Sequence, residues 1–380
     1  MSEHDPRHGA SSEPGREERS GPRISRRTAV VAGAASSLSF AIAACGGSST
    51  KTTEATAAGG GASFTGKKRS LVWVAAVGDW NLGVDVGFNE ACGLLGWEYK
   101  KVGYPLAQYS AATHVDAIKR AILSHPDVLV APNWVAGVGP ALAEAQKKGI
   151  YVIVNNANNY PDRITPLGAA FIGQNEYNAG YRSGEALVQL LGRQGKKSGT
   201  VIGGNPYPQN ANLQDRVRGA AKAFEDWNAR NGGSMKVETF LDQSAVNQGT
   251  SVSAYKAKMT QLGGDFVGVF TATDTSTQAA VKALQGRGAS VGEAPVAAVD
   301  VSTAALDQVE QGWVSHIVNH QYYAEGFIPP LLAWQALERA ETANGYDAGG
   351  ELIGRDNLAA AKAREEKFAR LGKEYGVTLS

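Results

Sequence analysis

The chain has 380 residues, 43% of them hydrophobic and 19% charged, with 37 basic against 36 acidic side chains and a formal charge of +1. That length accommodates two domains of ordinary size, and near-neutrality removes the usual reason to expect nucleic acid or another polyanion as partner. With only two cysteines, Cys45 and Cys92, a disulfide framework is excluded once either has another use.

Residues 1–24 are charged and rich in Gly, Pro and Ser, the composition of a disordered leader. Ser25-Arg26-Arg27 then precedes a weakly apolar stretch, Thr28 to Ala44, that ends Ile42-Ala43-Ala44-Cys45. A basic n-region, a short apolar h-region and small residues before a cleavage point form a secretory signal. A membrane-spanning helix needs about 20 strongly apolar residues, and this segment is shorter and diluted by Gly33, Ser36, Ser37 and Ser39. The paired arginine suggests twin-arginine export; Ala29, where an aromatic is usual, leaves the general secretory route open. The ending resembles a bacterial lipobox, which makes Cys45 the lipidated first residue of the mature protein; an ordinary signal with an incidental cysteine is the alternative. Residues 1–44 are thus read as leader plus signal peptide, and residues 45–67 as a flexible, lipid-anchored linker. Cleavage before Cys45 leaves 336 residues carrying 31 basic and 31 acidic groups. The expected location is the outer face of the cytoplasmic membrane, one acylated end tethering a folded body.

From Leu71 onward short apolar runs recur: Leu71–Val77, Val128–Ala131, Tyr151–Val154, Ala170–Ile172, Thr200–Ile202, Phe266–Phe270, Val296–Val299 and Val314–Val318. Unbroken apolar runs suit strands covered on both faces. Between them lie amphipathic helical patterns, as in Ala111–Ser124, where Val115, Ile118 and Ile122 share one face. Cys92 falls in such a pattern and reads as a small core residue. Lys147-Lys148-Gly149 and Gly286-Arg287-Gly288 are good helix ends. Alternation of this kind implies βαβ units and parallel sheets, and the number of units fits two α/β lobes better than one. Beyond Gly326 the chain reads as mostly helical, with Glu351-Leu352-Ile353 as a possible short strand and Pro329-Pro330 near a helix start.

Ligands of open α/β sheets bind beyond the carboxyl ends of the strands. Those ends carry Gly78-Asp79-Trp80-Asn81, Pro132-Asn133-Trp134, Asn155-Asn156, Gln174-Asn175, Asn205, Thr273-Asp274, Asp300 and Asn319-His320-Gln321. Amides both donate and accept hydrogen bonds, as hydroxyls do, and indole faces pack against the C–H face of a sugar ring. The set points to a neutral, hydroxyl-rich ligand. Asn and Asp also cap helices and form turns, so the argument rests on the aggregate. Arg216, in Gln214-Asp215-Arg216-Val217-Arg218-Gly219, presents a planar fork suited to hydroxyl pairs; a surface salt bridge suits Arg218.

These residues resemble the type I periplasmic binding proteins of the ribose/galactose group, the solute receptors of ABC sugar importers. The similarity runs from about Lys68 to the C-terminus. It rests on the loop Gly78-Asp79-Trp80-Asn81, the helix start Arg216-Val217-Arg218-Gly219, the strand ends Thr273-Asp274 and Val299-Asp300-Val301, and a late glutamine, Gln321, with Asn319 as the competing alignment. The resemblance implies two doubly wound parallel-sheet lobes joined by three crossovers near Gln174, Gln321 and Leu352. Lobe 1 would comprise residues 68–174 and 322–351, and lobe 2 residues 175–321 and 352–380. It implies a cleft lined by Asp79, Trp80, Asn81, Asn133, Asn155, Gln174, Arg216, Thr273, Asp274, Asp300 and Gln321, with Trp80 and Trp134 stacking on the ligand. It also implies a monomer that partners an ABC permease and needs no cofactor or metal. Asn155-Asn156 stands where the ribose receptors carry Asp-Arg, Thr273 where they carry Asn, and valine precedes Asp300 where they often carry an aromatic; these departures point away from ribose toward another monosaccharide or a polyol.

Three other readings compete with this one. An exported cofactor-dependent enzyme is the first, since twin-arginine export often carries folded cofactor enzymes, but there is no G-x-S-x-G elbow or H-E-x-x-H pair. Leu142 occupies the third glycine position of a dinucleotide fingerprint begun by Gly137-Val138-Gly139, and His316 and His320 on an extended segment lie about 13 Å apart, too far for one metal ion. A sensory module reporting to a membrane receptor would use the same lobes. A sugar-responsive repressor would need a helix-turn-helix where the secretory pattern stands.

Overall fold

The structure is a computed structural model, and it describes residues 66–78, 80–207, 210–244 and 247–377. The leader, the arginine pair, Cys45 and nearly all of the linker lie outside the described residues, as does Asp79.

The apolar runs form the inner strands of two six-stranded sheets. The first has the order β11-β5-β4-β3-β1-β2, from β1 (Ser70–Val77), β2 (Glu98–Pro105), β3 (Val128–Asn133), β4 (Tyr151–Asn158), β5 (Ala170–Gly173) and β11 (Tyr346–Asp347). The second has the order β12-β10-β9-β8-β6-β7, from β6 (Ser198–Asn205), β7 (Ser234–Leu241), β8 (Phe266–Thr271), β9 (Val296–Val299), β10 (Val314–Asn319) and β12 (Glu351–Ile353). Every pairing is parallel except β10 with β12. β3 and β9 are buried at every position, as strands covered on both faces must be. β2 and β7 have no counterpart among the apolar runs. They are edge strands, GluTyrLysLysValGlyTyrPro and SerMetLysValGluThrPheLeu, with alternating exposed and half-buried positions. Edge strands keep polar side chains because one flank meets water.

Helices cover both faces. Their starts follow from the polar residues at strand ends. Ser110 caps α2 (Ala111–Leu123), Asn175 caps α5 (Glu176–Arg193), Asn210 caps α6 (Ala211–Asn231), Thr273 caps α8 (Asp274–Gln285) and Ser302 caps α9 (Thr303–Gln311).

The chain passes between the sheets three times: after β5, after β10, and between β11 and β12. In each lobe the helix that follows the crossover packs on that lobe's first helix through glycines. In the first lobe, a Cβ on Gly326 of α10 (Tyr322–Arg339) would lie 1.9 Å from the Val84 carbonyl oxygen of α1 (Asn81–Leu95). In the second, a Cβ on Gly180 of α5 would lie 1.9 Å from the Arg216 carbonyl oxygen of α6. Gly326→Ala should therefore lower stability by about 1–3 kcal/mol, the usual cost of overpacking a backbone contact. A urea midpoint equal to that of the wild type would show that α10 can move aside.

α10 starts seven residues before Pro329, so the two prolines sit inside the helix and not near its start. Pro329 has no N–H for the carbonyl of Glu325, four residues back. Asn155 Nδ2 donates to that same oxygen at 3.4 Å, so β4 supplies the missing partner. The segment is a helix here because packing on α1 and this side-chain donor outweigh the local proline signal.

Candidate functional site

Between the two sheets' carboxyl ends lies a cavity of about 550 Å³. Its first wall comes from lobe-1 strand ends: Trp80 after β1, Tyr109 after β2, Trp134 after β3, then Asn156, Asn159 and Tyr160 at and beyond the end of β4. Its second wall comes from Tyr207, Asn210, Leu213, Arg216, Thr273 and Asp300. Glu176, His320 and Tyr322, at the crossovers, close the floor.

The floor is an ionic network. Arg216 Nε donates to Glu176 Oε2 at 2.6 Å and Nη2 to Glu176 Oε1 at 3.1 Å. Its Nη1 donates to the Ala272 carbonyl at 2.7 Å and meets both Asp300 carboxylate oxygens at 3.0 Å. Asp300 has φ +76°, a left-handed conformation that aims its carboxylate back at Arg216. Tyr322 donates its hydroxyl to Asp300 Oδ1 at 3.1 Å. His320 lies between two carboxylates: Nε2 is 3.0 Å from Glu176 Oε1, and Nδ1 is 2.7 Å from Glu325 Oε1, a contact close enough for ion pairing but misaligned for a hydrogen bond. Asn156 Nδ2 donates to the other Glu325 oxygen at 3.1 Å.

Burial opposes every charge here, and the partners decide the outcome. For Glu176, Arg216 and His320 override burial and hold the carboxyl down at about 2. For His320, Glu325 and Glu176 override burial and raise the imidazole to about 10, so it is a cation at neutral pH. Burial raises Glu325. Arg216 is already engaged on three sides, so it holds Asp300 and Glu176 in place rather than offering its whole fork to a ligand. Asp300 keeps 17% of its side chain exposed and is the floor's accessible acceptor.

The walls are aromatic and amide. Trp134 Nε1 donates to Asn156 Oδ1 at 3.1 Å. Behind Trp134, buried His114 meets the Pro132 carbonyl at 2.9 Å through Nε2 and the Tyr104 hydroxyl at 2.8 Å through Nδ1. Its ring lies 5.0 Å from that of Trp134. Burial lowers this imidazole to about 4, so it is a neutral prop for the loop. Asn159 Nδ2 reaches Asn210 Oδ1 across the cleft at 3.4 Å, so the two lobes touch at its mouth.

Of the residues singled out in the sequence, Trp80, Trp134, Asn156, Arg216, Thr273, Asp300 and His320 line this cavity. Thr273 also caps α8. The others have structural partners. Asn81 is fully buried and accepts from the Gly78 backbone N–H. Asn133 donates to Asn158 Oδ1 at 2.7 Å and to the Tyr160 carbonyl at 2.9 Å. Asn155 serves the Glu325 carbonyl. Asp274 accepts from Gln278 and Ser302. Gln174 Nε2 donates to the carbonyls of Asn319 and Gly349, at 3.3 and 3.0 Å, and so ties all three crossovers together. Asn319 accepts from the Gln321 backbone N–H and donates to Glu351; Asn319 and Gln321 line a second cavity of about 420 Å³ on the α11 (Leu358–Glu374) side of the hinge. Glu176, Tyr322, Tyr109 and Asn210 were not singled out. The available signal was position: Glu176 and Tyr322 each open the helix that follows a crossover.

Two α/β lobes with matching strand orders and three crossovers define the type I periplasmic binding protein fold. A sequence profile of the periplasmic binding protein domain matches residues 70–341, and the chain belongs to that family. No curated protein matches it significantly. Among solved structures, a carbohydrate transporter from Acidothermus cellulolyticus in complex with myo-inositol is 19% identical with a TM-score of 0.64, over 80% of this chain and 99% of that one. An ABC transporter solute binding protein from Burkholderia graminis in complex with D-arabinose is 20% identical with a TM-score of 0.65, over 78% and 98%. One from Agrobacterium vitis bound with alpha-D-tagatopyranose is 19% identical with a TM-score of 0.66, over 78% and 98%. At these identities the likeness is one of fold.

Proposed function

We propose that the protein is an extracytoplasmic receptor that captures a monosaccharide or polyol between its lobes and delivers it to an ABC permease. The observation that carries this reading is the meeting of Asp300, Tyr322 and Trp80 on one inter-lobe cavity, a charged acceptor and a hydroxyl beside an indole. The sugars and the cyclitol bound by proteins of the same fold support it. The ligand touches both lobes, and that differential contact favours closure. In this reading the arrangement serves to hold and orient a hydroxylated molecule, the role of a receptor.

Calorimetric titration with pentoses, hexoses and polyols, with no cofactor added, should give a saturable response for at least one. Asp300→Asn should weaken that binding about tenfold or more, the size of a charge-assisted hydrogen bond. Unchanged affinity would remove Asp300 from the site. Export and anchoring complete the proposal: a signal peptide carries the chain out and a lipid on Cys45 holds it at the membrane. Cys45→Ala should then move the protein to the soluble fraction, and retention in the membrane pellet would refute lipidation.

A further inference from the structure

The cavity is larger than one small ring and is lined by aromatic side chains from floor to mouth. A hexose displaces roughly 200 Å³ of water, about six to seven molecules' worth. About 550 Å³ lies between the lobes, the open mouth included, with Asn159 and Asn210 touching at its rim. The lining divides into two zones. The floor around Asp300, Tyr322 and Arg216 is polar and hydrogen-bonded. From it a band of four aromatic rings climbs toward the mouth. Tyr322 lies 5.6 Å from Trp80, Trp80 lies 5.9 Å from Trp134, and Trp134 lies 5.7 Å from Tyr109. One sugar ring covers one or two such faces, so a monosaccharide on the floor leaves the upper band bare. The mouth is also apolar. Leu106, Tyr160 and Tyr207 are 49%, 38% and 36% exposed and all line this cavity. Exposed large apolar side chains gathered at one cleft mark a contact surface.

Resting on the receptor reading above, we propose that the ligand is a two-ring glycoside: a hydroxylated ring on the Asp300–Tyr322 floor, joined to a second ring lying against Trp134, Tyr109 and Tyr207. A second sugar and a flat aryl or heteroaryl group share the chemistry such a band recognises, an apolar ring face.

The test compares affinities by calorimetry for D-glucose, D-galactose, D-xylose and L-arabinose, each with its methyl glycoside, its phenyl glycoside and a disaccharide that ends in it. Either two-ring probe should bind at least tenfold more tightly than the matching methyl glycoside. A gain for the phenyl glycoside alone assigns an aryl glycoside, and a gain for the disaccharide alone assigns an oligosaccharide. Tyr109→Ala should bring the ratio of two-ring to methyl-glycoside affinity toward unity, and Tyr207→Ala supplies the same readout if the first variant does not fold. A monosaccharide that binds as tightly as its two-ring derivatives overturns this inference and leaves the receptor reading intact. A ratio unmoved by both substitutions also overturns it. No response to any hydroxylated probe overturns both.

Discussion

Arg216→Met should cost the protein about 3–5 kcal/mol of stability, because it removes the cation from a buried ion cluster and leaves the carboxylates behind. Arg216 is 4% exposed and its partners Glu176 and Asp300 lie at 2.6 and 3.0 Å. Methionine fills similar volume, so the loss is electrostatic and not a cavity. Typical domains hold only roughly 5–15 kcal/mol in all, so the effect is large. Ligand affinity should fall as well, since Asp300 owes its orientation to Arg216 and Tyr322. Adding Asp300→Asn in the same chain should restore part of the stability, by neutralising the group left unpaired, without restoring binding. Urea unfolding of the wild type and the two variants decides the matter. A loss below about 1 kcal/mol for Arg216→Met would mean that water reaches the cluster and screens it.

Stability should peak near pH 6.5 and fall on both sides. On the alkaline side the controlling group is His320, raised from 6.5 to about 10 by its two carboxylates. Its folded state keeps a proton that the unfolded chain releases. The stabilisation is therefore complete below pH 6.5 and is lost as pH climbs toward 10. Glu325, raised by burial, acts in the same direction at its own pKa. On the acid side, burial lowers His114 and His316 from 6.5 to about 4. His316 meets the Ser183 carbonyl at 2.9 Å through Nε2 and is neutral in the fold. The unfolded chain binds protons at these two histidines first, so stability drains between pH 6.5 and 4. Glu176, held at about 2, adds a further loss below pH 4.5. Each shift corresponds to several kcal/mol, so melting curves from pH 4 to 10 should show both limbs clearly. His320→Gln should flatten the alkaline limb and leave the acid limb standing. An alkaline limb identical in wild type and variant would exclude His320 as its source.

Much of the fold was legible in the chain. Eight apolar runs became inner strands because a strand sandwiched between helices must be apolar on both faces. β2 and β7 were not legible, since an edge strand such as GluTyrLysLysValGlyTyrPro carries the polar pattern of an exposed surface. α10 shows the opposite failure. Its prolines signal a helix boundary, and only the docked α1 and the Asn155 amide make the interior position tenable.

The candidate site divides the same way. Local sequence put polar groups at the strand ends, because helices start there and need caps, and it put Asp300 and Trp80 where a ligand could meet them. It could not separate amides that face a cavity from amides that lock a hinge. Gln174 and Asn156 look alike as strand-end amides, yet Gln174 joins three crossovers while Asn156 lines the cleft.

The sequence by itself determined the alternation of strand and helix, the neutrality of the body and the polar character of the strand tips, because each is a property of neighbouring residues. The tertiary structure alone decided which tips meet. The Arg216 cluster draws Glu176, Asp300, His320 and Tyr322 from three separate junctions, β5–α5, β9–α9 and β10–α10, and it exists only because two sheets, crossed three times by the chain, place those junctions within hydrogen-bond distance.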